Sequence, residues 1–351
     1  MQIGIIGFKF TGKTTLFNVI TGAGRPTGVG GVDLHLAVGK IPDPRLDQLT
    51  AIFKPKRQIN ASVEWVDVPG FQGGASADGG RDSNKFLEHG RKVDALAQVV
   101  RCFGGGYGDA DPVDELESMA LEMALADLQI VENRLEKMAK EKMRMGKFSN
   151  PLEPPMMQRF KEQLESDKPL RDLELNPDEI KMASGYTFLT QKPMIVVLNH
   201  AEGEEVPAAA VAAAEAMGAE VVSLCASVEE ELADLDEADV AEFLADLGLT
   251  ELASGRMIRA AYGALNLQSF FTVGEDECRA WAVKKGALAP EAAGAIHSDL
   301  QRGFIRAEVT GFDEMISAGS LAAAKAAKMV RLEGKSYLVK DGDILEIRFS
   351  V

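Results

Sequence analysis

Cysteine is scarce: Cys102, Cys225 and Cys278 are the only three in 351 residues, widely spaced and without a CxxC pair. No disulfide framework and no structural zinc site is expected from them. Cys102 ends an apolar run and reads as a small core hydrophobe. The four histidines, His35, His89, His200 and His297, are too scattered to gather a metal cluster. Long apolar runs are missing too, and with no stretch of about 18 such residues no membrane span is expected. The opening Gln2-Ile3-Gly4-Ile5-Ile6 has no basic n-region and no cleavage site, so no export signal is read and a cytoplasmic address is expected. Positive charge falls short, with 38 Lys and Arg against 54 Asp and Glu, a net −16. That balance argues against wholesale non-specific binding to nucleic acid. It is uneven: from Arg256 to the end the balance is near +1, and the acidic excess lies before it.

What the chain does contain is an alternation of strand and helix signals. Strands are expected at residues 2–6, 61–66, 194–198 and 221–224, with a helix end and buried strand at 93–102 and a helix at 13–21. Strands separated by helices imply an α/β, doubly wound, mainly parallel sheet. Between 112 and 192 the alternation stops. Leu121, Leu125, Leu128, Leu135 and Met138 mark a long amphipathic helix of heptad character, broken by Asn150-Pro151 and Pro154-Pro155. A second helix with Met157, Phe160 and Leu164 on one face is expected to fold back on it as an inserted helical arm. After Gly255 come a helix at 256–265, strands at 268–273, 336–339 and 344–349, and a helix-compatible 322–328. These form a small sheet-rich domain.

Gly7-Phe8-Lys9-Phe10-Thr11-Gly12-Lys13-Thr14 fits GxxxxGK[ST] between a strand and a helix, the pattern of a P-loop. Backbone N–H groups turned inward and a helix N-terminus cradle polyphosphate. Phe10, Thr11 and Gly12 line that cradle, Lys13 is expected at the β- and γ-phosphates, Thr14 on Mg²⁺ and Thr15 near the α-phosphate. Trp65-Val66-Asp67-Val68-Pro69-Gly70 sets Asp67 at a strand end to hold the Mg²⁺, with the Gly70 amide facing the γ-phosphate. Phe71 follows where Ras-like proteins carry a water-orienting glutamine, so water must be held by backbone groups or a potassium ion. Asn199-His200-Ala201-Glu202 follows a buried strand where NKxD reads guanine. The longer Glu202 argues against strict GTP specificity, and the bland alternative is a surface loop. Cys225-Ala226-Ser227 fits a loop over the base. Glu229-Glu230-Glu231 reads as a solvated helix start.

These residues resemble the YchF / Obg-like ATPases of the TRAFAC class over nearly the whole chain. The resemblance rests on the P-loop, Ile41-Pro42-Asp43-Pro44-Arg45-Leu46, Lys54-Pro55-Lys56, the segment 67–70, Asn84-Lys85-Phe86-Leu87 and Val99-Val100-Arg101-Cys102-Phe103. It is carried furthest by Ser269-Phe270-Phe271-Thr272-Val273-Gly274-Glu275-Asp276-Glu277 and by Arg302-Gly303-Phe304-Ile305-Arg306-Ala307-Glu308. It implies a nucleotide-binding G domain at 1–111 and 193–266, a coiled-coil arm at 112–192 and a TGS domain of ubiquitin-like β-grasp fold at 267–351. It also implies ATP preferred over GTP, a hydrophobic substitute for the catalytic glutamine, and association with the ribosome or rRNA. Arg279, Lys284, Lys285, Arg302 and Arg306 are candidate rRNA contacts. The chain departs from the family pattern at Lys9-Phe10-Thr11, at Arg81-Asp82-Ser83-Asn84, and across 28–37, which holds no threonine and leaves Thr27 as the nearest. Two readings stand: a slow Mg²⁺-dependent ATPase/GTPase, and a non-hydrolytic nucleotide-binding module that docks through the TGS domain and arm.

Overall fold

The computed structural model describes residues 1–24, 34–71, 79–104, 108–233, 235, 237–246 and 251–350, with backbone alone for 79–84, 237, 238, 241, 245 and 246. Thr27, the threonine-free residues 28–33 and most of the Gly-rich segment 70–80 lie outside the described residues, as do the side chains of Arg81-Asp82-Ser83-Asn84.

Twelve strands are described: β1 Gln2–Ile6, β2 His35–Ile41, β3 Arg57–Ile59, β4 Ala61–Asp67, β5 Ala95–Arg101, β6 Met194–Asn199, β7 Glu220–Leu224, β8 Leu267–Thr272, β9 Glu277–Lys284, β10 Phe304–Gly311, β11 Arg331–Glu333 and β12 Asp343–Phe349. They form two six-stranded sheets, ordered β2-β4-β1-β5-β6-β7 and β11-β10-β12-β8-β9-β3. In the first, β1, β5, β6 and β7 pair in parallel. Every residue of β5 and β6 is buried, the near-continuous apolar run that a strand covered on both faces requires. The sheet is doubly wound about β1, and such sheets bind ligands at the carboxyl ends of strands flanking the switch point.

By contact the chain divides into two compact units: 1–37 with 65–257, and 38–64 with 258–351. Residues 38–64 cluster with the C-terminal stretch through several contacts, among them a strand pairing and an ion pair. The β3 strand pairs in parallel with β9. Arg45 reaches Asp341 at 2.7 Å while also binding Asp43. In this second unit β8 and β9 form an antiparallel pair, β12 pairs with β8 in parallel, and β10 pairs with β12 antiparallel. The helix Ala289–Ile296 packs on that sheet through Ala289, Ala292 and Ala293, which join Phe270, Phe304 and Val309 in one core. This is a β-grasp arrangement. The strand expected at 336–339 is not formed. Only Leu338 makes a bridge, to Leu288, because Tyr337 and Lys340 are drawn to the Asp343 carboxylate and turn the chain.

Among the described residues, two of the first unit's cores involve the inserted arm. One lies against the sheet and includes Leu116, Met119 and Met123 from the arm helix Pro112–Met145. The other is the arm's own, in which Val131 and Met138 meet Met156, Met157, Phe160 and Leu164 of the helix Glu153–Glu165. Arg134 binds Glu153 and Lys161 binds Glu132, so the two helices run antiparallel. The expected stripe holds at its far end, where Met138 is buried and Leu128 and Leu135 pack against the arm's core, and fails at its near end. Leu121 and Leu125 are 53% and 52% exposed, while Leu116, Met119, Met123, Asp127 and Val131 face inward. The displaced member is Asp127, fully buried, whose carboxylate accepts from the Leu189 and Thr190 amides at 3.1 and 2.8 Å and pairs with Arg91 at 2.8 Å.

Candidate functional site: a P-loop nucleotide pocket

The loop after β1 runs into the helix Lys13–Thr21, whose Leu16, Phe17 and Ile20 lock it to the core. Its turn depends on two glycines. Gly7 has φ +146, and a Cβ there would stand 2.4 Å from the Val99 carbonyl oxygen. Gly12 caps the helix at φ +93, where a Cβ would meet the Asn199 amide nitrogen at 2.3 Å. Phe10 also lies in the left-handed region, at φ +65, and is 47% exposed. A bulky non-glycine residue held there costs on the order of 1–3 kcal/mol, strain of the kind that collects at ligand-binding loops.

Behind the loop, Thr11 is fully buried and its hydroxyl donates to the Phe8 carbonyl at 3.1 Å. Lys13 is 7% exposed, and its ammonium donates to the same carbonyl. Burial pushes the Lys13 pKa down to about 8; Asp67 and Glu115 act against that shift and Lys9 adds to it. The Thr14 hydroxyl donates to an Asp67 carboxylate oxygen at 3.0 Å. Gly70 stands close by, its Cβ position 3.1 Å from the Lys13 Nζ. Thr15 is half-buried in the helix's first turn. Loop, lysine, hydroxyl and carboxylate are thus brought together as the sequence leads one to expect.

Phe71 is held against the loop. Its amide donates to the Gly7 carbonyl at 3.0 Å, and its carbonyl accepts from the Lys9 amide at 3.3 Å. Its ring, 5% exposed, packs edge-on against Phe8 at 5.2 Å and beside Phe86 at 5.6 Å. The side chain is therefore part of the core.

On the other side, Asn199 ends β6 with 4% exposure. Its amide donates to the Thr11 carbonyl at 2.9 Å, and its side-chain oxygen accepts from the Ala226 amide at 3.0 Å. The residue joins the P-loop to the segment after β7. Ala226 opens the helix Ala226–Ala233, so the expected loop at Cys225-Ala226-Ser227 is a helix start. The Cys225 sulfur lies 3.3 Å from the Ser227 hydroxyl. His200 donates its amide to the Leu224 carbonyl at 3.0 Å, while Glu202 lies exposed on the turn beyond it. Glu229 is not the solvated residue its acidic run suggests. It is 7% exposed and accepts from the Ala253 and Ser254 amides at 2.7 and 3.1 Å, capping the helix Ala253–Ala264.

Sequence reasoning missed Glu115, in the first turn of the arm helix. Its carboxylate accepts from the Arg101 amide at 3.0 Å. Burial raises its pKa, with Arg101 and Lys13 opposing. Arg101 in turn donates to the carbonyls of Gly108 and Asp109, at 3.0 and 3.1 Å. Its sequence signals were its place at the end of a buried strand and in the segment 99–103 that carries the family resemblance. Cys102, pushed up to about 11 chiefly by burial, is inert as a nucleophile. Among the described residues no group of three His, Cys, Asp or Glu could hold a metal, and no helix is long and apolar enough to cross a membrane.

Two family models match the chain. One, YchF-GTPase_C, described as a protein of unknown function, covers residues 267–350. The other, described as a 50S ribosome-binding GTPase, covers residues 2–138. The chain is 40% identical to the Ribosome-binding ATPase YchF of Bacillus subtilis (strain 168), over 100% of both chains. It is 32% identical to the Obg-like ATPase 1 of Oryza sativa subsp. japonica, over 100% of this chain and 92% of that one. Among solved structures it is similar to the YchF GTPase of Schizosaccharomyces pombe, with a TM-score of 0.87, 29% identity, and coverage of 99% of this chain and 97% of that one. With a P-loop pocket on a doubly wound sheet, an inserted helical arm and full-length identity at this level, the chain belongs to the YchF family of P-loop NTPases.

Proposed function

We propose that the chain is a slow Mg²⁺-dependent NTPase, ATP favoured over GTP, that works with the ribosome in the cytoplasm. The observation that carries this reading is the Thr14 hydroxyl set 3.0 Å from the Asp67 carboxylate, beside Lys13 and Gly70. One hydroxyl and one carboxylate are hard oxygen donors, the set Mg²⁺ takes when phosphate oxygens and water complete its shell. Bound there, the ion would neutralise charge developing on the transferred phosphoryl group. Lys13, Gly12 and the loop amides hold the phosphates, Asp67 and Thr14 hold the metal, and the Gly70 amide faces the γ-phosphate. Asn199, His200, Glu202, Cys225 and Ala226 border the base. Ribosome association is supported by the names of the relatives, and ATP over GTP by the longer carboxylate of Glu202. The functional division runs as nucleotide-binding segments 1–111 and 193–266, arm 112–192 and TGS segment 267–351.

The buried Phe71 favours a second reading, a nucleotide-binding module without turnover, because its side chain cannot orient water. Phosphate release from ATP and from GTP, with Mg²⁺, with and without K⁺ and ribosomes, separates the two. Release above that of Lys13→Ala supports the enzyme. Equal release, with nucleotide bound, leaves the module.

A further inference from the structure

The helix Pro112–Met145 is about 50 Å long at 1.5 Å per residue. Its apolar stripe ends at Met138, and from 139 to 145 no residue is buried. There the composition reverses sign. Residues 137–147 hold five basic residues against one acid, Glu141, in a chain of net −16. Lys137, Lys140 and Arg144 stand at i, i+3 and i+7, on one helix face, and Lys147 follows the left-handed cap Gly146. Lys140 is met by Glu136 at 2.5 Å, Glu141 lies 3.7 Å from Arg134, and Lys142 covers the Phe148 ring at 4.8 Å. Among the described residues no carboxylate pairs with Lys137, Arg144 or Lys147, and all three are exposed. Met143, 80% exposed, and Met145, 52% exposed, stand among them.

Cations in a last helical turn complement the negative end of the helix dipole, worth about 0.3–1 kcal/mol each. That accounts for Lys142 and Arg144. Lys140 has Glu136; neither that pair nor the dipole accounts for Lys137, further back on the helix, or for Lys147 outside it. We propose that this arm tip is an RNA-docking surface, with Lys137, Lys140, Arg144 and Lys147 gripping the phosphate backbone of structured RNA. The acidic remainder repels a polyanion while the tip attracts it, so the chain approaches RNA tip first. The exposed methionines supply apolar contact to sugars and bases at the centre of the patch. This rests on the ribosome association proposed above and names the surface that makes it.

The test uses the full chain with purified ribosomes and with protein-free rRNA, measuring affinity across a salt series for the wild type and for Lys137→Glu/Arg144→Glu/Lys147→Glu. Each lost phosphate contact lowers the slope of log K against log salt by about 0.7–0.9. The expected result is a loss on the order of a hundredfold near 0.1 M salt on both probes, with the slope shallower by about 2–3. Nucleotide affinity is expected to stay unchanged, and Lys137→Arg/Lys147→Arg to bind as the wild type. If the charge-swapped chain binds rRNA with wild-type affinity and slope, the arm tip is not the contact. If Met143→Ser/Met145→Ser abolishes ribosome binding while the charge swap leaves it intact, the partner is a protein and the inference falls. If the wild type binds neither probe, the ribosome reading falls with it.

Discussion

Asn199 uses both ends of its amide on backbone: the nitrogen on Thr11 in the P-loop, the oxygen on the Ala226 amide. A side chain committed in this way positions the pocket rather than reading the base. Asn199→Ala leaves two buried backbone groups unpaired, a cost of about 1–3 kcal/mol. ATP and GTP affinity, measured by competition, are therefore expected to fall by the same factor, roughly 5- to 150-fold. A change in their ratio would instead make Asn199 a base reader. Lys13 gives a pH signature. Burial holds its pKa near 8, below the ordinary 10.5, so in the empty site the neutral form gains ground above that pH. Polyphosphate takes the ammonium, and ATP affinity is expected to fall by up to about tenfold per pH unit from about 8 towards 10.5, with proton uptake on binding. Folding stability has the opposite sign: the cost of a buried ammonium is full below about 8 and fades as pH rises to 10.5. Calorimetry in buffers of different ionisation enthalpy checks the uptake, which Lys13→Met should abolish. The P-loop itself was legible because phosphate binding requires contiguous backbone, and contiguity is what a sequence displays. Glu115 was not, since the fold alone brings it near Lys13.

At the scale of elements, the arm is anchored by a charge. Asp127 sits in the buried stripe of the long helix and gathers Arg91, the Leu189 and Thr190 amides and the Thr190 hydroxyl. Arg91 belongs to the helix Gly79–Lys92, which follows the Asp67–Gly70 stretch, and it also donates to the Ala126 carbonyl at 3.2 Å. Removing one partner of a buried, hydrogen-bonded pair costs about 3–5 kcal/mol. Asp127→Ala is expected to lose that much in denaturant unfolding. Asp127→Asn keeps one acceptor oxygen and is expected to lose less. An equal loss in both would show that the charge, not the hydrogen bonding, holds the arm. Asp127 also explains why the near end of the stripe was misread. A pattern that counts Asp as a surface residue slides onto Leu121 and Leu125, whereas the chain buries the acid because its partners satisfy it. The ends of β1 and of the helix Lys13–Thr21 were readable to the residue, because glycines flank the helix and an apolar run fills the strand.

For the whole molecule, the division is the feature that composition could not show. The C-terminal sequence carries its own core, yet the compact unit draws in residues 38–64, whose helix Pro44–Phe53, three-residue strand β3 and Arg45 all meet the C-terminal stretch, partners that only the fold brings together. Arg45 binds Asp43, reaches Asp341, and lies 5.3 Å over the Phe271 ring, while Asp341 also accepts from the Ser269 amide at 2.9 Å. Arg45→Ala removes all three Arg45 contacts and leaves Asp341 with the amide. The guanidinium is partly exposed, so a loss of about 1–3 kcal/mol is appropriate after screening. If the chain opens as two units, that loss should be local. Hydrogen exchange of the full-length variant is expected to quicken at the amides of β8, β10 and β12 and to leave those of β1, β5 and β6 at wild-type rates, since sub-global opening follows contiguous packed units. Quickening of both sheets by the same factor would mean that the chain opens as one cooperative body and that residues 38–64 are not the C-terminal unit's own.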